Sequence, residues 1–221
     1  MRVSEYLADR VADAGVAHVF TLTGGGAMFL NDAFGYHPRI TAVYQHHEQA
    51  CSMAAEGYAR LAARPGVCIV TTGPGSINAL NGVFGAWTDS IPIMVLSGQV
   101  KRETCLAATP VQGLRQLGDQ EVDIVRMATP ITKYATVVTD PLRIAYEFDK
   151  AWHLATSGRP GPVWLDIPID VQSSQIEPES LERYVPEQHA NARTHAIVAA
   201  TDLDPRCASM SNSSRLQSVR C

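Results

Sequence analysis

Residues 67–78 read VCIVTTGPGSIN. The first four form an uninterrupted apolar run, which is typical of a strand that is covered on both faces of its sheet. Glycine and proline at 73–75 then predict a tight turn, because glycine adopts conformations closed to other residues and proline presets its φ. The small and apolar residues from Ser76 onward predict a helix. The stretch therefore indicates a strand that passes through a short glycine turn directly into a helix.

The same alternation of strand and helix runs through the first 170 residues. Strands are predicted at 18–22, 41–44, 67–71, 91–96, 131–138 and 163–167, and helices at 3–14, 24–34, 48–63, 76–87, 121–127 and 141–155. Ser4 is predicted to cap the first helix, which Gly15 ends. Strands that alternate with helices form parallel sheets with right-handed crossovers. The expected fold class is α/β, with a doubly wound, mainly parallel sheet and helices on both of its faces.

Composition limits the class of protein. A chain of 221 residues can form one compact domain with a full core. A net charge of −4 and a pI near 5.9 argue against nucleic acid or an anionic membrane as the main partner. No apolar run approaches the ~20 residues of a membrane helix, and residues 1–5 lack the apolar region of a signal peptide, so a cytoplasmic protein is expected. Five cysteines without CxxC or metal-ligand spacing indicate separate thiols in a reducing compartment.

The character of the sequence changes after residue 170. A polar stretch begins at Gln172, and residues 202–221 show almost no apolar periodicity. We therefore expect one domain at 1–170, followed at 171–221 by a linker and a disordered tail.

Two strand-to-helix junctions carry the candidate functional residues. In open α/β sheets, ligands bind outside the carboxyl ends of the strands. Glu48 lies at the first junction, within HHEQ at 46–49, and Thr71, Pro74 and Asn78 lie at the second. A structural role is an alternative for two of them. A glutamate in the first turn of a helix interacts favourably with the helix dipole, and an asparagine there can satisfy helix-end amides.

The loop TGGGA at 23–27 also follows a strand and opens a helix. A dinucleotide-binding loop requires G-x-G-x-x-G, but Phe29 stands where the third glycine is needed, so a Rossmann-type site is kept only as an alternative. His46 and His47 are adjacent on one helix and do not face a common point, which makes them poor chelators. No metal ligand is therefore predicted in this chain.

Four segments together resemble the thiamine-diphosphate-dependent enzymes, and within them most closely the acetolactate-synthase-like branch. They are the loop at 23–27, HHEQ at 46–49, TTGPGSIN at 71–78 and GDQE at 118–121. The resemblance covers residues 1–170 and corresponds to the N-terminal, pyrimidine-binding domain of that branch. It implies thiamine diphosphate as the cofactor. It also implies a truncation, with 171–221 as the start of a central domain that a diphosphate-binding domain would follow.

The resemblance gives each candidate residue a role. Glu48 would be catalytic, because its carboxyl would hydrogen-bond N1′ of the cofactor's aminopyrimidine and share a proton with it. The residues implied to line the cofactor site are Gly25, Thr71, Pro74, Asn78 and Gln120, with Gly25 also near a partner subunit. The sequence lacks the family's Gly-Asp-Gly followed by Asn-Asn, so Mg²⁺ and its ligands are expected only in the complete enzyme. FAD is left open, since no residue of this chain indicates it.

The implied activity is 2-keto acid decarboxylation and carboligation, a lyase or transferase reaction that the chain would not perform alone. Asp119 stands where the branch usually carries Phe, an aromatic associated with substrate selection, so the identity of the 2-keto acid is open. The expected partners are that substrate, a diphosphate-binding domain from the missing part or another chain, and further copies in a homo-oligomer. Two alternatives are kept: the pyrimidine-domain subunit of a two-chain 2-keto acid decarboxylase, and a non-catalytic interaction remnant.

Overall fold

The computed structural model describes residues 1–186. Their strands are β1 (His18–Thr21), β2 (Thr41–Tyr44), β3 (Gly66–Val70), β4 (Ile93–Gln99), β5 (Tyr134–Val137) and β6 (Val163–Pro168). Their α-helices are α1 (Val3–Asp13), α2 (Met28–Gly35), α3 (Glu48–Ala62), α4 (Pro74–Asp89), α5 (Ile124–Ala128), α6 (Ile144–Thr156) and α7 (Ile169–Gln172). The six strands pair in parallel in the order β2-β1-β3-β4-β6-β5. The predicted α/β fold class is thereby confirmed.

Two apolar cores lie on opposite faces of the sheet. Strand β3 contributes Val67 and Ile69 to one core and Cys68 and Val70 to the other, because successive side chains of a strand point to opposite faces. Helices α1, α2 and α6 complete the first core, and α3, α4 and α5 complete the second. Every residue of β3, β4 and β6 is buried, which explains why each of these strands contains an apolar run without alternating polar residues.

The start of α1 differs from the prediction. Arg2 is the N-cap, and its backbone N–H donates to Oε2 of Glu5 at 2.7 Å. Ser4 lies inside the helix and is fully buried, so the prediction that it caps the helix is wrong. The end of the helix agrees with the prediction, since Gly15 follows it with a φ of +80°.

The segment after β4 also differs. The strand extends to Gln99, beyond the predicted end at residue 96, because its parallel pairing with β6 continues through these residues, two of which, Ser97 and Gln99, are buried although polar. Two short 3-10 turns, Arg102–Thr104 and Leu106–Ala108, then lead to α5. This helix begins at Ile124 rather than 121, since the carboxylate of Asp123 accepts the backbone N–H of Arg126 at 3.0 Å and caps it.

The compact unit extends past the predicted domain boundary at residue 170. It spans Met1–Tyr184. Val171, Ile176 and Leu181 are buried in the same core as α1, because their apolar side chains pack there and Gln175 pairs with Arg2 in an antiparallel bridge. Residues 187–221, where the tail is predicted, lie outside the described part of the chain.

Within residues 1–186, no helix is both long enough and apolar enough to cross a bilayer. The longest, α4, has 16 residues, whereas a membrane-spanning helix needs about 20.

Candidate functional site

A crevice is expected at the carboxyl ends of β1, β2 and β3. β2 flanks β1 on one side and β3 flanks it on the other, so the chain direction across the sheet reverses at β1. Ligands of doubly wound sheets bind at such a switch point. Three junctions meet there: residues 22–27 lead to α2, 45–47 lead to α3, and 71–73 lead to α4.

Glu48 is the first residue of α3 and is 9% exposed. His47 is the N-cap of this helix, and its Nδ1 accepts the backbone N–H of Gln49 at 3.1 Å. The carboxylate of Glu48 points toward α4, where Asn78 Nδ2 donates to Oε2 at 3.0 Å. This bond fixes one carboxylate oxygen and the orientation of the other. The carboxyl of Glu48 thus links the start of α3 to the first turns of α4.

The turn between β3 and α4 requires glycine at two positions. Gly73 has a φ of +60°, and a Cβ on it would lie 2.1 Å from the carbonyl oxygen of Gln120. A Cβ on Gly75 would lie 2.7 Å from Thr71 Cγ2 and 3.0 Å from Glu48 Oε1. A larger residue at either position would clash with its neighbours. The turn thus brings bare backbone next to the free oxygen of the Glu48 carboxylate.

The glycine-rich loop at 23–27 packs against the ends of β3 and β4. The backbone N–H of Gly26 donates to Thr71 Oγ1 at 3.1 Å. A Cβ on Gly24 would lie 2.4 Å from the Cβ of Thr71, and one on Gly98 would lie 2.0 Å from the carbonyl oxygen of Gly26. Gly24 and Gly26 of this loop therefore let its backbone lie close to the side chains of Thr71 and Thr72. This packing disfavours the dinucleotide alternative, in which the loop backbone would face a diphosphate.

Residues 1–127 match the family model for the thiamine pyrophosphate enzyme, N-terminal TPP binding domain. The chain belongs to this family. The match confirms the predicted resemblance, and it covers all three junctions of the crevice.

Relatives narrow the assignment to acetolactate-synthase-like proteins. The chain is 37% identical over 198 residues to an acetolactate synthase of Arthrospira platensis, an alignment that covers 85% of this chain and 32% of the relative. It is 38% identical over 178 residues to the chloroplastic acetolactate synthase of Arabidopsis thaliana, covering 79% and 25%. A probable acetolactate synthase large subunit of Methanocaldococcus jannaschii is 35% identical over 184 residues, covering 83% and 29%. The chain therefore spans about a quarter to a third of the length of these relatives, and it is the N-terminal thiamine-diphosphate-binding domain of such a protein.

Three of the predicted site residues meet in this thiamine-diphosphate domain. Glu48, Thr71 and Asn78 come together around Gly75, through the close contacts of that glycine and the bond from Asn78 to Glu48. Pro74 is exposed as the first residue of α4, a position where its missing N–H costs nothing.

Two other predicted residues lie at the margin of the crevice. Gly25 is exposed, and a Cβ on it would meet no atom within 4 Å. Gln120 approaches the turn through its backbone, since its carbonyl oxygen faces Gly73 and lies 3.2 Å from Thr72 Oγ1, while the residue is exposed. The structure thus describes a backbone contact for Gln120 where the resemblance implies a side-chain role.

A group of buried polar residues behind the turn was not predicted from the sequence. Ser97 Oγ and Gln99 Nε2 donate to the two carboxylate oxygens of Asp166, at 2.5 and 2.9 Å. Burial raises the pKa of Asp166 to about 7, although both hydrogen bonds oppose this shift. The available signal was a set of polar residues at the ends of otherwise apolar strands.

Metal ligation has no candidate among residues 1–186, where no three His, Cys, Asp or Glu side chains form a group that could hold an ion. His46 and His47 precede α3, and the ring of His47 accepts a backbone N–H. Cys51, Cys68 and Cys105 are free thiols.

Proposed function

We propose that this chain supplies the pyrimidine-binding half of the active site of an acetolactate-synthase-like enzyme, which decarboxylates a 2-keto acid and joins the product to an acceptor. The observation that carries the proposal is the nearly buried Glu48 carboxylate, held by Asn78 against the bare backbone of Gly75. A structural glutamate at a helix start needs neither the asparagine nor the glycine.

The residues of the crevice fit thiamine diphosphate. Gly75 places no side chain against Glu48 Oε1, and Asn78 binds the other oxygen, so Oε1 is left to accept from a donor of the cofactor. Thiamine diphosphate, when bound, supplies carbanion stabilisation at its thiazolium ring, chemistry that no amino-acid side chain provides. Glu48 would hold the ring nitrogen N1′ and keep a proton on that hydrogen bond, while Asn78 fixes the orientation of the carboxyl. Thr71 and Pro74 would hold the turn on one side of the cofactor, and Gly25 would lie on the opposite side. Gln120 would approach the cofactor from the segment before α5.

The diphosphate group and Mg²⁺ would be bound by residues outside this chain, in a further domain of the same polypeptide or of a partner. FAD has no support in the described residues. The identity of the 2-keto acid is part of the proposal only as a class, because Asp119 replaces the aromatic residue that the branch usually carries.

An exposed apolar surface on α3 and α4 favours assembly. Met53, Ile77, Phe84 and Trp87 are all exposed, and the last three lie on one side of α4 at helical spacing. Such a surface marks a protein contact more often than a solvated face. We propose that a second subunit covers it, which favours a homo-oligomer.

The test is decarboxylation by the chain assembled with a diphosphate-binding domain, measured as CO₂ release from a panel of 2-keto acids. The expected result is release that depends on thiamine diphosphate and falls by a factor on the order of 10² in Glu48→Gln. Glu56→Gln is the matched control, because Glu56 lies on the same helix but pairs with Arg60 on the surface. Cofactor-independent release, or equal activity in the two variants, would contradict the proposal.

Binding to the isolated chain gives a second check. We expect weak binding of thiamine diphosphate in calorimetric titration, with the same affinity with and without Mg²⁺. Tight, Mg²⁺-dependent binding would show that the diphosphate clamp lies within these 221 residues.

A further inference from the structure

The turn at residues 71–75 rests on a buried chain of hydrogen bonds. Thr72 Oγ1 donates to Gln99 Oε1 at 2.6 Å, and Gln99 Nε2 donates to Asp166 Oδ2 at 2.9 Å. Beyond Asp166 the chain continues through Ser97 to the indole of Trp164, whose Nε1 donates to Ser97 Oγ at 2.7 Å. This series of hydrogen bonds runs from the cofactor-facing turn across β4 to β6.

Gln99 uses its whole hydrogen-bonding capacity. Its Oε1 accepts from Thr72 and from the backbone N–H of Val100 at 3.0 Å. Its Nε2 donates to Asp166 and to the carbonyl oxygen of Val122 at 3.0 Å. A primary amide has two donors and two acceptor sites, and all four are taken here in a residue that is 4% exposed. The amide can therefore adopt only one orientation, with its oxygen toward the turn and its nitrogen toward Asp166.

This orientation connects two parts of the crevice. Through Thr72 the amide holds the turn that places Gly73 and Gly75, and through Val122 it holds the segment in which Gln120 approaches Gly73. Both parts would shift if the amide were reversed or lost. No comparable contact ties the turn to β4 among the hydrogen bonds described above.

Asp166 sets the direction of the amide together with the backbone N–H of Val100 and the carbonyl oxygen of Val122. It is 1% exposed, and a carboxylate there can only accept from Gln99 Nε2. The charged and titratable side chains that line the cavity beside it are Arg102, Cys105, Glu121 and Asp123. Asp123 raises the pKa of Asp166 through charge repulsion, in addition to the larger effect of burial. Arg102 is bound to Asp170.

We propose that Gln99 is a positioning residue for the pyrimidine site, held in its working orientation by Asp166. The inference rests on the proposed function, because the turn matters for catalysis only if it places the cofactor beside Glu48. Gln99 touches neither Glu48 nor Asn78 in the contacts above, so its effect passes through Thr72 and the backbone of the turn.

The test exchanges the two side-chain types, so that residue 99 carries the carboxyl and residue 166 carries the amide. In Gln99→Glu two buried carboxyls face each other; they share a proton at lower pH, and once a rising pH removes it both are ionised and repel. At low pH the new carboxyl is protonated and can donate to Asp166 while still accepting from Thr72. In the double variant Gln99→Glu with Asp166→Asn, the new amide donates to the new carboxylate, and Ser97 still has an acceptor. The bond from residue 99 to the carbonyl oxygen of Val122 is not restored. Each of these substitutions keeps the size and shape of the side chain that it replaces.

The expected activity pattern is specific to positioning. At pH 8, Gln99→Glu should lower kcat/KM of the assembled enzyme by about tenfold or more, since a misplacement of about 1 Å costs up to ~100-fold. The loss should shrink toward pH 6, and the double variant should recover part of the loss, since Thr72 and residue 166 regain their bonds to residue 99 while the bond to Val122 stays broken. Gln112→Glu adds the same charge at an exposed position and should change nothing.

Hydrogen exchange gives a readout that needs no cofactor. In the full chain, amides of residues 71–76 should exchange faster in Gln99→Glu at pH 8 and return toward the wild-type rate in the double variant. Wild-type exchange and activity in Gln99→Glu, or a double variant no better than the single one, would overturn the inference. Absence of cofactor-dependent activity in the wild type would instead overturn the proposed function, while the exchange pattern would still decide whether Gln99 and Asp166 position the turn.

Discussion

Among residues 1–186, two acidic residues, Glu48 and Asp166, are buried, and the surroundings of their carboxyl groups differ. Glu48 is 9% exposed and takes one side-chain donor, Asn78, while its other oxygen faces the bare backbone of Gly75. Asp166 is 1% exposed, and both of its oxygens are taken by Ser97 and Gln99. A carboxyl with one free oxygen at the edge of a crevice can serve a ligand. A carboxyl with both oxygens bound inside the protein serves the structure.

The pH dependence of stability should separate the two groups most clearly. The native pKa of Asp166 is raised from 3.8 to about 7, so the native state binds its proton more tightly than the unfolded state does. Its contribution is therefore fully present below pH 3.8 and is lost as the pH rises to about 7. The difference in unfolding free energy between wild type and Asp166→Asn should change by on the order of 4 kcal/mol across this window. Urea denaturation at several pH values measures it, and a constant difference would contradict the assignment.

Truncation of the two side chains to alanine should lower the free energy of unfolding by different amounts. Asp166→Ala leaves buried donors of Ser97 and Gln99 without an acceptor, and we expect a loss of about 2–3 kcal/mol in unfolding free energy at pH 6. Glu48→Ala removes a group at a helix start and should cost about 1 kcal/mol or less. Chemical denaturation of both variants sharpens the comparison. Equal losses would mean that Glu48 is a structural residue of the same kind.

The turn that joins the two regions should tolerate no side chain at Gly73. Gly73→Ala would have to keep a φ of +60° and place a Cβ 2.1 Å from the carbonyl oxygen of Gln120, and we expect a cost of about 1–3 kcal/mol in unfolding free energy. Gly118→Ala is the matched control, because a Cβ there would meet no atom within 4 Å. A similar stability of the two variants in thermal unfolding would show that the turn is not constrained.

Much of the fold could be predicted because its central strands are apolar runs. The predicted strand at 67–71 differs from β3 by one residue at each end, and residues 163–167 differ from β6 by one residue. The end of β4 could not be predicted in the same way, because Ser97 and Gln99 are polar and only their buried partners explain why they continue the strand. Those partners lie in β6, and a single sequence does not indicate which strands are neighbours.

The candidate site was predictable only in part. The junctions at Glu48 and Gly73 follow from the alternation of strands and helices, and the family match supports their grouping. The link from Thr72 through Gln99 to Asp166 was not predictable, because these residues are far apart in sequence and carry no motif. Nor did the sequence indicate that Gln120 would meet the turn through its backbone.

The central claim is that the Glu48 carboxyl shares a proton with the cofactor. The most direct measurement is the exchange of the thiazolium proton of thiamine diphosphate with deuterated solvent, in the chain assembled with a diphosphate-binding domain. Glu48→Gln keeps the size of the side chain and an acceptor for Asn78, but it removes the acid. We predict that exchange slows by a factor on the order of 10² or more in this variant, the scale of a lost acid–base group. An exchange rate equal to that of the wild type would contradict the account.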